Sequence, residues 1–274
     1  MKLQIARSVV ATLKRLLFLN SANKFSSFLL ENVDLVYDFF HKGLNIKIAC
    51  PNRVNLYRAE TYLTKEPDMI DWLETMDHNV VLLDIGANIG LYSIYAAKKG
   101  VKQVIAVEPE SQNYGLLNKN IYLNNLSDKI TALNIGFNDI TGLNHLFIPN
   151  FLPGAALNNL GESTNWKKEA FNADFRQAVM AYSVDDFLAL NPSLFPTHIK
   201  IDVDGIERKI IEGASKTLKD DRVRQVIIEL NTSLTEDMDI MDILKGHGFK
   251  LVDQKNSPTA TKEYDVLYNC LFIK

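Results

Sequence analysis

The stretch from residue 80 to residue 117 constrains the fold more than any other part of the chain, because short apolar runs alternate there with turns and helices. Val80–Leu83 is an unbroken run of valine and leucine, as in a parallel strand that is covered on both faces. The glycine-rich turn 84–90 follows it, and glycine lets a backbone turn sharply or approach a ligand closely. A helix over 91–100 and a second buried run, 104–107, complete a strand, turn, helix and strand unit.

The second buried run stops at Glu108, which places a carboxylate at a strand tip beside the glycine turn. Nucleotide sites use this arrangement to hold ribose hydroxyls. The turn reads Asp84-x-Gly86-x-Asn88-x-Gly90 and opens with an acid, whereas a dinucleotide fold has G-x-G-x-x-G. A leading carboxylate repels a diphosphate and suits an ammonium group, so the spacing favours S-adenosylmethionine. We expect its amino acid end near Asp84 and the turn backbone, including Ala87, and its ribose on Glu108. The alternative is a turn that only connects a strand to a helix.

Three further residues are candidates for contact with this cofactor. Glu66 lies in a predicted helix start at 64–68 and is placed to reach the methionine end, or only to favour the helix dipole. Asn138 and Asp139 follow a predicted third strand, 130–135, and are candidates to bind the adenine amine. Either residue is as often a simple turn residue.

Downstream of the turn, strands and helices alternate, which predicts a doubly wound, mostly parallel α/β sheet with an antiparallel C-terminal strand. The predicted strands are 130–135, 143–148, 179–182, 198–203, 223–230, 250–254 and 264–272. The predicted helices are 111–125, 183–190, 206–218 and 235–245. We place the cofactor-binding domain at 79–274, with a substrate loop at about 149–176.

Residues 1–78 are predicted to form a helical and hairpin extension. Residues 1–24 carry five basic residues and no acid, and their apolar residues fall on one side of a helix. That helix either contacts an anionic membrane face or another protein, or packs on its own domain with a solvated basic face. A second helix is expected over 25–41, and a strand pair over 46–58 that turns at Pro51 and Asn52.

The composition is that of a soluble globular protein, with 47% hydrophobic and 23% charged residues. A net charge of −3 argues against a general nucleic-acid binder. The two cysteines, Cys50 and Cys270, fit no metal spacing and are expected to be reduced thiols of a cytoplasmic protein. No apolar run is long enough to span a bilayer.

The candidate catalytic residues lie on the strands after residue 197. Asp202, at a strand tip beside the glycine turn, is expected to act as base or to orient an acceptor hydroxyl; otherwise it only caps the next helix. Lys200 in a buried strand needs an acidic partner, and Glu229 on the next strand is the expected one. That pair positions substrate or only satisfies itself. Asp202, Asp204 and Glu229 do not have the spacing of a metal site, and we predict no metal.

Several separated motifs resemble the FkbM-type S-adenosylmethionine-dependent methyltransferases. They are Leu83–Ser93, Val107–Pro109 with Asn113, Leu117 and Asn120, Ser183–Phe187, Ile199–Glu207 with Gly213 and Ala214, and Ile228–Glu229. The resemblance covers about residues 59–231. It implies a class I methyltransferase fold and O-methylation of a hydroxyl on a sugar, glycan or other secondary metabolite. Asp204 stands where the family usually has glutamate, which puts in doubt any role that depends on the reach of Asp204.

The resemblance leaves the acceptor, the oligomeric state and the N-terminal helix open. A different function is a non-catalytic cofactor-binding module that is recruited by the N-terminal helix, peripherally to the inner membrane face. A nicotinamide oxidoreductase is disfavoured by the glycine spacing. The loop over 149–176 has no motif that identifies an acceptor.

Overall fold

The structure is a computed structural model, and it describes residues 24, 27, 28 and 31, 33–256 and 265–274. The chain forms two compact units, Met1–Val36 and Tyr37–Lys274. In the first unit, residues 24, 27, 28 and 31 are helical. The amphipathic helix expected over residues 1–24 lies outside the described residues apart from its last position. In the described part of the chain, no helix combines the length and apolar character needed to cross a membrane.

A β-hairpin opens the second unit. Strands β1 (Val36–His41) and β2 (Leu44–Ala49) form a two-stranded sheet, and they are joined by Lys42 and Gly43, which both have positive φ angles, 46° and 85°. Two consecutive left-handed residues are the requirement of a tight hairpin turn. The prediction of helix up to residue 41 was therefore wrong, because alternate side chains of β1, including Tyr37 and Phe39, are half-buried in a strand pattern.

Two helices follow where the sequence predicted a strand pair and one helix. Helix α1 (Arg53–Lys65) is capped by the Asn52 side chain, which accepts a hydrogen bond from the Asn55 amide. Helix α2 (Pro67–Glu74) begins with a proline at its first turn. The strand pair predicted to turn at residues 51 and 52 was wrong, since a helix starts there. The predicted helix start near residue 66 was correct.

The remaining strands belong to two sheets. They are β3 (Val81–Ile85), β4 (Gln103–Val107), β5 (Ile130–Leu133), β6 (Gly136–Phe137), β7 (Gly142–Ile148), β8 (Asn159–Leu160), β9 (Phe175–Tyr182), β10 (His198–Ile201), β11 (Gln225–Asn231), β12 (Lys250–Asn256) and β13 (Leu267–Ile273). The remaining helices are α3 (Leu91–Lys99), α4 (Ser111–Leu123), α5 (Val184–Leu190), α6 (Glu207–Gly213), α7 (Ser215–Lys219) and α8 (Thr235–Gly246), with a 3-10 turn at Pro192–Leu194.

The central sheet has seven strands in the order β12-β13-β11-β10-β3-β4-β5. Every pairing from β11 to β5 is parallel, and β13 runs antiparallel to β11 and β12. All five residues of β3 are buried, because apolar side chains pack against both faces of the sheet. The doubly wound, mostly parallel fold with an antiparallel C-terminal strand is therefore confirmed. Its winding reverses between β3 and β10, whose carboxyl ends are neighbours.

A second, four-stranded sheet has the order β6-β9-β7-β8. Strands β7 and β9 pair antiparallel, and Ile148 lies opposite Phe175 at the end of the pairing. Residues 149–174 are therefore an excursion between two paired residues. This excursion is the segment that the sequence predicted as a substrate loop.

Candidate active site

Lys200 lies at the centre of the charged groups where β3 and β10 end. Its side chain is 1% exposed, and its Nζ lies 3.0 Å from Asp84 Oδ1 and 3.2 Å from Asp202 Oδ2. The prediction that Glu229 would be its partner was wrong. The parallel register sets Lys200 directly beside Asp84 on one neighbour and beside Ile227 on the other, so Asp84 is the acid within reach.

Asp84 is fully buried and contacts protein groups. Its Oδ2 accepts a hydrogen bond of 2.6 Å from the Ser93 hydroxyl, while Oδ1 faces Lys200. Burial by itself lowers the pKa of Lys200, but the carboxylates of Asp202 and Asp84 together outweigh burial and raise it. Asp84 is thus the counter-ion of a buried ammonium group of the protein, and its burial does not support the expected contact with the ammonium group of a ligand.

The turn after β3 needs glycine for a reason that lies within the protein. Gly86, Asn88 and Gly90 have positive φ angles of 80°, 51° and 85°, a conformation that glycine adopts without strain. A Cβ atom on Gly86 would lie 1.9 Å from the carbonyl oxygen of Asp202, and one on Gly90 would lie 2.4 Å from a methyl group of Leu117. The glycines therefore bring the tips of β3 and β10 together and seat α4 against the turn.

Glu108 lies at the tip of β4, as predicted, and is 5% exposed. Its Oε2 accepts the Asn88 backbone N–H at 2.8 Å, and its Oε1 accepts the Glu110 backbone N–H at 2.8 Å. Burial raises the pKa of Glu108 to about 7. A carboxylate has about four acceptor positions, so Glu108 has capacity for further donors such as ribose hydroxyls.

Asn134 and Gln177, which sequence reasoning missed, surround the tip of β4. The Asn134 amide donates to the carbonyl oxygens of Glu108 and Pro109, each at 2.9 Å, and the Gln177 amide donates to Pro109 O at 2.6 Å. Asn134 directly follows β5, but the prediction extended that strand to residue 135 and so hid it. Gln177 belongs to the second sheet, and the predicted strands 143–148 and 179–182 did not indicate that this sheet packs beside the tip of β4.

The structure does not bring Asn138 and Asp139 to the strand tips. A Cβ atom on Gly213 would lie 2.3 Å from the carbonyl oxygen of Asn138 and 3.2 Å from the Cα of Asp139. Gly213 is the last residue of α6, and that helix begins near the tip of β10. The two residues therefore lie at the far end of α6, and the expectation that they cover an adenine there has no support.

Glu66 is brought to the charged cluster by the break between α1 and α2. It is 7% exposed, its Oε2 accepts the Tyr92 hydroxyl at 2.6 Å, and its Oε1 lies 2.9 Å from Lys65 Nζ. Burial lowers the pKa of Lys65, but the nearby carboxylates of Glu66 and Asp202 outweigh it and raise the pKa. Tyr92 links Glu66 to the charged cluster, because its hydroxyl donates to Glu66 while its ring centre lies 5.5 Å from Lys200 Nζ.

Asp202 and Asp204 lie in the loop after β10, Glu229 lies in β11, and all three are partly buried. The Asp202 side chain is 36% exposed. Burial first, and then the charges of Asp202 and Glu66, raise the pKa of Glu229 well above its usual value. Burial and Asp202 also raise the pKa of Asp204 to about 7. Asp202 is the acid of this group that is paired with Lys200, at 3.2 Å.

Residues 153–168, which we call the strap, cross the strand tips. The side chains of Asn88 and Asn113 donate to Ala155 O, each at 3.1 Å. Farther along, the Leu157 amide donates to Asp204 Oδ2 at 2.7 Å. A Cβ atom on Gly205 would lie 3.4 Å from Trp166 Cα, so the strap also packs on the loop after β10.

A polar cavity of about 260 Å³ lies where the strap meets the start of α6. Its lining is mainly charged and consists of Glu162, Lys168, Gly205, Ile206, Arg208, Lys209, Glu212 and Glu236. Several of these charges are ion-paired, including Lys209 with Glu162 at 2.7 Å. Across residues 33–256 and the other described positions, no cluster of His, Cys, Asp and Glu has the arrangement of a metal site.

Comparison with known proteins identifies the family. The family model for the methyltransferase FkbM domain matches residues 84–251, which include the glycine turn, Glu108, Lys200 and Asp202. The chain belongs to the FkbM methyltransferase family. FkbM methyltransferases use S-adenosylmethionine as methyl donor, so the family and the cofactor expected from the sequence are both confirmed.

Individual proteins are similar to this chain at low sequence identity. Methyltransferase sdnD from Sordaria araneosa is 28% identical over 179 residues, which are 57% of this chain and 68% of that protein. A methyltransferase FkbM from Methylobacillus flagellatus KT has a TM-score of 0.47 at 16% identity, covering 81% of this chain and 54% of that one. A tRNA m1G37 methyltransferase from M. jannaschii has a TM-score of 0.45 at 12% identity, covering 88% and 55%.

Proposed function

We propose that this FkbM methyltransferase transfers a methyl group to a hydroxyl of a sugar, glycan or secondary metabolite, with Asp202 as the proton acceptor. The observation that carries the proposal is the accessible Asp202 carboxylate, 36% exposed and 3.2 Å from a buried lysine. Hydroxyl methylation needs a base within hydrogen-bond reach of the acceptor. Asp202 offers that base next to the turn of the donor site.

The residues around the first two strand tips fit the donor. When bound, S-adenosylmethionine supplies an electrophilic methyl group on a sulfonium. The backbone of residues 86–90, including Ala87 and Asn88, lines the turn, and Glu108 has acceptor capacity for the ribose. We propose Glu66 as the carboxylate that faces the donor's ammonium group, because Asp84 is fully buried with its two oxygens on Lys200 and Ser93, whereas Glu66 is paired with the exposed Lys65.

Lys200 positions the base. Its Nζ is fixed between Asp84 and Asp202 in a side chain that is 1% exposed, so the Asp202 carboxylate is held in one orientation. The hydroxyl proton of the acceptor passes to Asp202, which is open enough to release the proton to solvent. Glu229 is less suited to this role, because burial and the neighbouring carboxylates raise its pKa well above the usual value and so favour its protonated form.

The polar cavity beside the strap supports a polyhydroxylated acceptor. Its lysine, arginine and glutamate side chains offer hydrogen-bond donors and acceptors to hydroxyl groups. A hydroxylated acceptor is uncharged, so its binding leaves the ion pairs of the cavity wall balanced. A nucleic-acid acceptor is disfavoured by the net charge of −3. The exclusion of nucleic acid stays a prediction.

The test is incubation of the pure protein with S-adenosylmethionine labelled in its methyl group and with fractionated glycans, small-molecule extracts and RNA. We expect label in a glycan or small-molecule fraction, in a linkage that resists mild alkali, as a methyl ether does. Alkali-labile label indicates a methyl ester, and label in RNA indicates a base or ribose acceptor; either result contradicts the proposal. Donor binding without transfer to any fraction favours the non-catalytic module.

A further inference from the structure

The strap is hydrogen-bonded to the two asparagine side chains that flank Glu108, the carboxylate that we assign to the donor ribose. Ala155 O accepts from the side chains of Asn88 and Asn113, and the backbone N–H of the same Asn88 donates to Glu108. The Asn113 side chain also hydrogen-bonds Glu108. With the strap in this position Glu108 is 5% exposed. A donor that uses Glu108 therefore needs the strap to lift.

The strap is held down by a helix outside the central sheet. Pro153 O accepts hydrogen bonds from Asn52 at 2.8 Å and from Asn55 at 3.0 Å, and Gly154 O accepts from Arg58 Nε at 2.6 Å. Asn52 is the cap of α1, and Asn55 and Arg58 lie within it. Their spacing of three residues puts Asn55 and Arg58 on one face of α1, which is the face turned to the strap.

Gly154 makes this contact possible. Its φ is +85°, and a Cβ atom there would lie 2.1 Å from Asn55 Oδ1. Any other residue is therefore strained in its backbone and collides with Asn55. The close approach of helix and strap depends on this one glycine.

The contacts that close the strap are suited to reversible opening. They are hydrogen bonds between side chains and the backbone N–H and carbonyl groups of the strap, and such bonds are individually weak in net free energy because water replaces them on opening. Phe151, Ala156 and Leu157, which flank the contacts, are exposed. Little apolar surface therefore has to be uncovered in order to lift residues 153–157.

We propose that residues 153–157, the first part of the strap, close over the donor site, and that Asn55 and Arg58 of α1 are the latch that sets how fast S-adenosylmethionine binds and leaves. This inference rests on the proposed donor position at Glu108. It gives α1 a role in the reaction cycle, although α1 lies before the residues that match the family model.

The latch is tested from both of its sides. Arg58→Ala removes the bond to Gly154 O from the helix, and Gly154→Ala forces the strap away from Asn55. Arg53→Ala is the matched control, an exposed arginine on the same helix. Stopped-flow tryptophan fluorescence with S-adenosylhomocysteine gives the association and dissociation rates, and hydrogen exchange measured by mass spectrometry follows peptides that span 153–157. Circular dichroism melting verifies folding.

We expect both variants to raise the association and the dissociation rate by about tenfold, the effect of losing one charge-assisted hydrogen bond from the closed state. Exchange of the 153–157 peptides should accelerate in both variants, and Arg53→Ala should behave like the wild type. Added S-adenosylhomocysteine should slow exchange in the wild type, since the strap closes over it.

Unchanged binding rates in a folded Gly154→Ala protein overturn the proposal, as does rapid exchange of residues 153–157 in the wild type with the ligand bound. No methyl acceptor is present in these experiments, so their outcome is independent of hydroxyl methylation. If Glu108→Gln binds S-adenosylhomocysteine like the wild type while the latch variants still alter the rates, the donor position is wrong and the latch stands.

Discussion

Asp84 and Asp202 share one lysine but differ in access to solvent. Both carboxylates lie within 3.2 Å of Lys200 Nζ, yet the side chain of Asp84 is 1% exposed and that of Asp202 is 36% exposed. Asp84 has a second protein partner, Ser93. Asp84 and Asp202 therefore have the same counter-ion, but Asp84 is buried among protein groups and Asp202 can contact a substrate.

The difference teaches that charge pairing alone does not identify a catalytic acid. A buried carboxylate beside a buried lysine offsets the cost of desolvating both, so removing either partner leaves an uncompensated charge. A carboxylate on the rim of the same pair contributes less to stability because water screens it. Substitution of Asp84 is therefore expected to lower mainly the stability of the protein, and substitution of Asp202 mainly its activity.

The largest expected effect is on the activity of Asp202→Asn. Asparagine keeps the shape of the side chain but cannot accept the hydroxyl proton, so the rate of methyl transfer should fall about 10²- to 10⁴-fold. Transfer of labelled methyl to the acceptor measures this rate. The S-adenosylhomocysteine affinity and the melting temperature should stay near the wild-type values, and a variant with full activity removes Asp202 from the mechanism.

The next effect is on the stability of Asp84→Ala. The variant leaves Lys200 buried with only the rim carboxylate, and we expect its free energy of unfolding to fall by about 3–5 kcal/mol. Urea denaturation followed by circular dichroism measures the change. Asp202→Ala is the matched comparison and should lose less than half as much; equal losses would contradict the division between the two acids.

Glu108 extends the comparison, because it is buried like Asp84 but is bonded to backbone N–H groups. Its pKa is raised from 4.5 to about 7 by burial, so between these values the folded chain holds a proton that the unfolded chain has released. The stability should therefore fall as the pH rises from about 4.5 to 7, by at most about 1.4 kcal/mol per pH unit for this one group.

Urea denaturation at several pH values tests the contribution of Glu108. In Glu108→Gln the decline in stability over this range should be shallower by that amount, while the share from Asp204, whose pKa is also raised to about 7, persists. An identical pH profile for the variant and the wild type would falsify the assignment of the proton to Glu108.

The smallest effect is expected at Asn138 and Asp139. Since they lie at the far end of α6, alanine substitutions there should change the S-adenosylhomocysteine affinity less than twofold. Gln177→Ala, which loses the bond to Pro109 beside Glu108, should weaken it a few-fold, in the range of one neutral hydrogen bond. Isothermal titration calorimetry distinguishes them, and a larger loss at Asn138 restores the adenine assignment.

The sequence predicts the centre of the main sheet well because β3 and β4 contain the apolar runs 81–83 and 104–107, which are followed by the glycine turn and by Glu108. The sequence prediction is wrong for β1, which was expected to be helical, and for α1, which was expected to be a strand. These segments are short, so the alternating pattern of a strand and the spacing of a helix are hard to distinguish there. At the site, the prediction placed Asp202 and Glu108 at strand tips correctly. The partner of Lys200 was missed, because register decides whether residue 200 faces Asp84 or Glu229, and register is a property of pairing between strands.

The second sheet has a consequence for how this enzyme can change its acceptor. Residues 149–174 lie between Ile148 and Phe175, which are opposite each other in the register of β7 and β9, and they contribute the short strand β8 to the same sheet. A different insert between these anchor points keeps the register of β7 and β9, and the entropy of closing the loop grows only slowly with its length. Exchange of this one contiguous segment is therefore expected to change the substrate range and, through residues 153–157, also the rate at which the methyl donor binds and leaves.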